Sequence, residues 1–84
     1  MIIRKKITPK FYKLIKSGKK KFELRLADFK IKPGDTLVLV EYDKKRNQTG
    51  RQLKRKVKYV LKFKLNDFGQ AKEIKKHGLY VIQI

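Results

Sequence analysis

The sequence predicts one small α+β domain in which five or six short strands and a single clear helix form a compact barrel. Apolar and polar residues alternate through most of the chain, which is the period of a half-buried β-strand. One segment instead has apolar residues three and four positions apart, which is typical of a helix. With 84 residues, 40% of them hydrophobic, the chain can build one core, so we expect a single domain over residues 1–84.

The first strand is predicted over residues 1–7, and the helix follows it directly. Thr8 and Pro9 mark the helix start, because Thr caps helix N-termini and Pro fits the first helical position. Gly18 ends the helix, because glycine adopts the left-handed conformation after a helix most easily. The side chains expected to face the core are Phe11, Leu14 and Ile15, with Tyr12 flanking them.

Residues 21–26 predict the second strand, and alternation divides its side chains between two faces. Phe22, Leu24 and Leu26 share the apolar face, and we expect Phe22 to be a core residue whose loss destabilises the fold. Glu23 and Arg25 lie on the opposite face, beside Lys21.

Residues 36–42 predict a third strand, after a Pro-Gly-Asp turn. Both of its faces are mostly apolar, so it should be central or barrel-forming. Residues 51–65 alternate for 15 positions, which is long for one strand, so a bend, a bulge or two strands are expected. Arg55 falls on the face of this segment that is otherwise apolar, where it either marks a bulge or reaches into a pocket.

The end of the chain predicts a possible short second helix and a last strand. Asn66 or Asp67 could cap a helix that runs through Glu73 and ends at Gly78, or the segment could be a loop. Residues 79–84 then form the last strand, and His77 beside Gly78 is expected to be a helix-end residue rather than a catalyst.

Composition excludes several classes of protein. Lys and Arg total 25 against 7 acids, which gives a formal net charge of +18 and points to an anionic partner, with nucleic acid well ahead of a membrane surface. The chain has no Cys and one His, so a disulfide framework, a thiolate site and a zinc site are not expected, and neither is a cofactor. No apolar stretch has the length of a membrane span or a signal peptide, so we expect a cytoplasmic protein.

The octet from Gly18 to Arg25 carries the pattern G-x-K-x-x-E-x-R. The glycine allows a tight reversal from helix to strand, and Lys20 then lies near a helix C-terminus, which favours cations. An Arg fork can bind phosphate or carboxylate, and the Glu23 carboxylate can accept a hydrogen bond from a base amino group. The pattern therefore predicts a small polar pocket, although an exposed surface with weak ion pairs is the alternative.

This octet resembles the signature of the ASCH (activating signal cointegrator homology) family, part of the PUA-like superfamily of small β-barrels implicated in RNA binding. Other segments resemble, in order, a subgroup of short bacterial and phage proteins of this type; they are residues 8–11, 33–35, 41–43, 49–51 and 78–82. The resemblance implies a PUA-like barrel in which Lys20, Glu23 and Arg25 line the ligand cleft and Gly18 makes the turn.

A branch of the same superfamily hydrolyses acetylcytidine with the signature Lys, a Thr and a more distant acid. This chain has Glu23 where that branch has Thr, and spacing does not choose between Glu41 and Glu73 as the acid. Lys20 and Glu23 remain the candidate catalytic residues, because a Lys–Glu pair could activate water.

A second basic feature extends over residues 44–64, which hold ten cations and no acid. Lys54, Lys56 and Lys58 lie on the same face of the predicted strand, and we expect them to contact successive phosphates of a nucleic acid. The alternative is a solvated strand face whose lysines prevent edge-to-edge aggregation. Tyr42 is the expected pocket wall; the other tyrosines, Tyr12, Tyr59 and Tyr80, are expected mostly in the core.

Three functions remain open from the sequence. The first is an RNA-binding domain with a basic strand face and a cleft for a base or nucleotide, favoured by a basic or aromatic groove continuous with the cleft. The second is a small amidohydrolase of a modified nucleoside such as acetylcytidine, favoured by a closed pocket with a second acid. The third is a basic adaptor for an acidic protein, favoured by a flat apolar patch and a separate cleft.

Overall fold

The computed structural model describes residues 1–63 and 77–84. Within them the chain forms one helix and six strands, which confirms the predicted α+β class. In chain order the elements are β1 (Ile2–Ile7), α1 (Pro9–Lys16), β2 (Phe22–Leu26), β3 (Thr36–Tyr42), β4 (Gln48–Lys56), β5 (Tyr59–Phe63) and β6 (Leu79–Gln83). The possible second helix, with Asn66 or Asp67 as its cap, lies outside the described residues.

The strands form two three-stranded sheets, ordered β1–β3–β4 and β2–β6–β5. β1 runs parallel to β3, and every other pairing is antiparallel. β3 lies in the middle of its sheet with Leu37, Val38 and Leu39 all buried, which confirms the prediction of a central strand. The two sheets are established, whereas their closure into a barrel stays a prediction.

The long alternating segment divides into two strands, as its length predicted. β4 and β5 are separated by Val57 and Lys58, whose backbone amides bond in different directions. The Val57 amide donates to the carbonyl of Asp35 at 2.8 Å, and the Lys58 amide donates to the carbonyl of Gln83 at 2.8 Å. The chain therefore passes from one sheet to the other at this point. Arg55 pairs in regular register with Leu37, so it does not mark a bulge.

The core lies between the sheets and under α1. Its members come from both sheets, from the helix and from the segments between elements; they are Ile7, Tyr12, Ile15, Ala27, Leu37, Leu39, Leu53, Val57, Tyr80, Ile82 and Ile84. Leu37, Leu39 and Ile82 are fully buried. Removing this surface from water is the main stabilising contribution to a domain of this size.

The second sheet buries the opposite face from the one that alternation predicted. Phe22 and Leu24 are 49% and 56% exposed, whereas Glu23 is 3% exposed, so the prediction that Phe22 is a core residue is wrong. Glu23 pairs with Ile82, which is fully buried, and residues paired across strands point to the same side of a sheet. A buried carboxylate replaces the expected apolar side chain because two cations neutralise it.

β5 shows the same inversion. Tyr59 and Leu61 are 56% and 47% exposed, and Val60 packs against the core instead, so the prediction of a core Tyr59 is wrong. Alternation holds up to Val57, which is 2% exposed, and then resumes in β5 with the other phase. The crossing between sheets at residues 57–58 produces this change, because each sheet has its own inner side.

The helix begins and ends as predicted but is rotated relative to the expected apolar face. Tyr12 and Ile15 are buried, whereas Phe11 is 42% exposed, so Phe11 is wrongly predicted as a core residue. The Tyr12 ring lies 4.7 Å from the guanidinium carbon of Arg51, which covers it. Thr8 precedes the helix without a side-chain capping bond, and Gly18 has the left-handed φ of +81° that the turn requires.

No helix in the described parts of the chain is long and apolar enough to cross a membrane.

Candidate functional site

A cleft of about 530 Å³ opens where the end of β1 approaches β2. Both strands are at the edges of their sheets, so their free edges face each other across the cleft. The residues that line it are Lys6, Ile7, Thr8, Phe11, Lys20, Phe22, Glu23, Leu24 and Arg25. The cleft therefore contains the Lys, Glu and Arg of the sequence pattern.

The three charged residues form one hydrogen-bonded cluster. Lys20 Nζ lies 3.1 Å from Glu23 Oε1, and Arg25 Nε donates to Glu23 Oε2 at 2.7 Å. The side chains of Lys20 and Arg25 are 17% and 23% exposed, compared with 4% for Glu23. The structure thus brings the predicted residues together, with the acid buried and the two cations partly facing solvent.

Local structure positions each member of the cluster. The turn at Gly18 lets the Lys20 amide donate to the carbonyl of Leu14 at 3.0 Å, which ties Lys20 to the last turn of α1. Pairing of β2 with β6 aims Glu23 and Arg25 inward beside the buried Ile82 and Tyr80. Arg25 Nη2 also donates to the carbonyl of Lys6 at 2.6 Å, so this side chain bridges the free edges of β1 and β2.

Two exposed aromatic rings stand beside the cluster. Lys20 Nζ lies 4.2 Å from the centroid of the Phe11 ring and 5.5 Å from that of Phe22. Neither ring was predicted as a site residue, because both were expected in the core. The signal that could have found Phe22 is its place beside Glu23: if the carboxylate points inward, the adjacent side chain of the strand must point outward.

The cluster is suited to binding an anion or a hydrogen-bond acceptor. Each Glu23 oxygen already accepts a bond from a cation, whereas the Lys20 ammonium and the Arg25 guanidinium have three and five donors respectively. Donors left over at the partly exposed cations can therefore face a ligand. Glu23 is the one acid among the described residues that line the cleft.

Of the two candidate distal acids, the structure describes Glu41, and the hydrogen-bond partners of Glu41 are different from those of Glu23. Glu41 is fully buried, and its carboxylate accepts hydrogen bonds from Arg51 Nε and Nη2 at 2.7 and 2.9 Å and from Thr49 Oγ1 at 2.5 Å. Hydrogen bonds from Arg51 and Thr49 hold the pKa of Glu41 below its usual value, although burial alone would raise it. This group joins the β3–β4 hairpin to α1 through Tyr12. Glu73 lies outside the described residues.

A cation-lined groove of about 310 Å³ adjoins the cleft. Its lining includes six cations, which are Lys16, Lys20, Lys21, Arg55, Lys56 and Lys58, together with Ile15, Gly18 and Ile84. Lys20 lines both the cleft and the groove. Arg55 therefore contributes to a basic groove, which agrees more closely with the alternative that it reaches a pocket than with a bulge.

The remaining predicted site residues lie around these two depressions. Lys56 and Lys58 line the groove, whereas Lys54 is exposed on β4 and is not among the groove's lining residues. Tyr42 is half-buried in a separate depression of about 280 Å³, which shares Lys6, Ile7 and Thr8 with the cleft. The Lys6 Nζ lies 4.8 Å from the Tyr42 ring centroid.

In residues 1–63 and 77–84, no three His, Cys, Asp or Glu side chains are grouped closely enough to hold a metal ion.

Comparison with known proteins gives a family but no activity. No curated protein matches the chain. A family described as a domain of unknown function, DUF3850, matches residues 4–75, which include the whole cleft octet and the strands from β2 to β5. Because the match covers most of its length, the chain belongs to the DUF3850 family.

Proposed function

We propose that this domain binds nucleic acid, with RNA preferred, and that a base or nucleotide occupies the cleft while phosphates occupy the basic groove. The cluster of Lys20, Glu23 and Arg25 supports the first half of the proposal, because its spare donors suit a phosphate or the acceptor atoms of a base. The six cations of the groove support the second half.

The observation that carries the proposal is the position of Lys20. Its side chain contacts Glu23 inside the cleft, and the residue is also among those that line the groove, so the two depressions meet at Lys20. A strand could therefore place a base in the cleft while its backbone continues along the cations. Among the three functions that the sequence left open, this adjacency of a basic groove and the cleft favours the RNA-binding domain.

Overall charge supports the same partner. At a net charge of +18, the domain attracts polyanions over long distances and accelerates their association. Six cations and no acidic side chain are found among the described lining residues of the groove, so the local field of these side chains has the same sign as that of the whole chain.

The proposal includes a PUA-like architecture of the ASCH type. β4 continues into β5 across two residues at one edge of the two sheets, and at the opposite edge Arg25 bridges β2 to the Lys6 carbonyl of β1. In this proposal the two sheets are halves of one barrel, and the cleft is the opening between β1 and β2.

Hydrolysis of a modified nucleoside is the weaker candidate. It requires a second acid near Lys20, and among the described residues Glu23 alone supplies a carboxylate to the cleft. Both Glu23 oxygens are already bound by Lys20 and Arg25.

The salt dependence of RNA binding tests the proposal. We expect the affinity for a nine-nucleotide single-stranded RNA to fall with salt, with a log–log slope of about −0.7 for each phosphate neutralised. The double variant Lys56→Gln/Lys58→Gln removes two groove cations, so its slope should be flatter by about 1.4. Fluorescence anisotropy at several salt concentrations measures both slopes.

A matched control removes the same charge elsewhere. Lys10 and Lys30 are exposed and line neither the cleft nor the groove, so Lys10→Gln/Lys30→Gln should keep nearly the slope of the unaltered protein. Equal slopes for the two double variants would show that the groove is not the phosphate site. Release of acetate from acetylcytidine, abolished by Lys20→Arg, would instead establish the hydrolase.

A further inference from the structure

The outer surface of the β2–β6–β5 sheet carries an exposed apolar face. Strand pairing places Phe22, Gln83 and Tyr59 side by side in one row across the three strands. The next row on the same side contains Leu24, Val81 and Leu61. Exposure of Phe22, Leu24, Tyr59 and Leu61 ranges from 47% to 56%, so about half of the surface of each of these large residues faces solvent.

In a sheet with one buried face, apolar side chains usually point inward and charged side chains point outward. This sheet departs from that pattern. The inner side accommodates the Glu23 carboxylate at 3% exposure, while two aromatic rings of the same sheet point outward. Burying a charged group is costly even when it is paired, and exposing contiguous apolar surface forgoes hydrophobic stabilisation. Such a departure from the core pattern is typical of a surface that binds a partner.

We propose that this face is a stacking surface for the unpaired bases of single-stranded RNA. The proposal rests on the function proposed above. It adds a second contact region and a preference for single-stranded over duplex RNA. Aromatic rings on a sheet can stack bases of any sequence, because every base has a π-face. Bases in a duplex are already stacked on each other and cannot reach the rings.

The dimensions of the sheet fit this use. Neighbouring strands lie about 4.8 Å apart, so Phe22 and Tyr59, separated by β6, are about 10 Å apart. That separation leaves room for a different base on each ring. Gln83 lies between them, and its amide offers both a donor and an acceptor to base edges.

Charge at the border of the face identifies the partner as a polyanion. Lys21 precedes Phe22 and Lys58 precedes Tyr59, and both lysines line the basic groove. The Lys58 amide donates to the Gln83 carbonyl at 2.8 Å, which holds the start of β5 beside Gln83 in β6. Phosphates in the groove would therefore place attached bases beside Phe22 and Tyr59. A second copy of a chain with a charge of +18 would instead be repelled.

The experiment compares a nine-nucleotide single-stranded RNA with a duplex of the same sequence, measured by anisotropy. Tyr59 lies outside the lining of the cleft and the groove, so Tyr59→Ala isolates the stacking surface. We expect this variant to bind the single strand about tenfold more weakly and the duplex with unchanged affinity. Tyr59→Phe keeps the ring and should bind as the unaltered protein does. Lys58→Gln should weaken binding of both RNAs.

Several outcomes would overturn the inference. If Tyr59→Ala binds the single strand normally while Lys58→Gln is impaired, the groove binds RNA and the sheet face does not. A self-association seen by sedimentation and lost in Tyr59→Ala would assign the face to a second copy. If the unaltered protein binds neither RNA, the stacking surface and the proposed function fail together.

Discussion

Ile82→Ala is expected to lower the free energy of unfolding by about 2–5 kcal/mol, the range for truncating a buried aliphatic side chain. Ile82 is fully buried in β6 and belongs to the core cluster. Its truncation removes apolar contacts and leaves a cavity that a close-packed interior fills only in part. Chemical denaturation followed by circular dichroism measures the change.

Leu24→Ala is the matched control, because it removes an aliphatic side chain from the neighbouring strand. Leu24 is 56% exposed, so its truncation should cost less than about 1 kcal/mol. Phe22→Ala should also be mild, in contrast to the large loss that alternation alone predicts. A large loss in Leu24→Ala together with a mild Ile82→Ala would show that the sheet buries its other face.

Arg25→Ala is expected to destabilise the domain by about 3 kcal/mol, because it removes one of the two cations bound to the buried Glu23 carboxylate. The variant also loses the bond from Arg25 to the Lys6 carbonyl, which connects the edges of the two sheets. Arg25 therefore has a structural role as well as a proposed ligand-binding one, and denaturation of the variant measures the structural role alone.

A second substitution separates the cost of an unpaired charge from the loss of other contacts. If the buried carboxylate causes the loss, Arg25→Ala/Glu23→Leu should be more stable than Arg25→Ala, since the double variant buries no carboxylate and leaves only the Lys20 ammonium, which is partly exposed to solvent. Equal stability of the single and double variants would contradict this explanation. RNA binding should remain weak in both, because both lack the guanidinium.

The secondary structure was largely predictable because its signals are local. The Thr8–Pro9 start and the left-handed Gly18 fixed the helix, and alternation located the strands. The 15-residue alternating segment was correctly expected to break, since one strand of that length is unusual. Apolar residues on both faces correctly indicated that β3 is central.

The inward faces of β2 and β5 were not predictable from alternation. A two-residue period shows which side chains share a face but does not show which face the protein buries. In β2 the cations Lys20 and Arg25 compensate the burial of Glu23, and this compensation depends on contacts that the sequence does not display. In β5 the phase depends on the crossing between sheets at residues 57–58.

The candidate site was predicted in its charged part and missed in its aromatic part. The spacing of Lys20, Glu23 and Arg25 predicted a cluster, which the structure contains. Phe11 and Phe22 were assigned to the core because aromatic residues usually lie there, and only the buried Glu23 explains why Phe22 does not. The role of the cluster in binding RNA stays a prediction.

Residue-resolved mapping of the RNA contact tests the central claim most directly. Titration of the ¹⁵N-labelled protein with a nine-nucleotide single-stranded RNA should shift the backbone amides of residues 18–25 and 55–58 most, since these segments contribute most of the lining of the cleft and the groove. Residues 44–47 of the β3–β4 hairpin contain Lys44, Lys45 and Arg46 but lie outside both depressions, so they provide an internal comparison for non-specific attraction. Shifts concentrated at the cleft and groove are the predicted result. Shifts confined to the hairpin, or none at all, would contradict the proposed function.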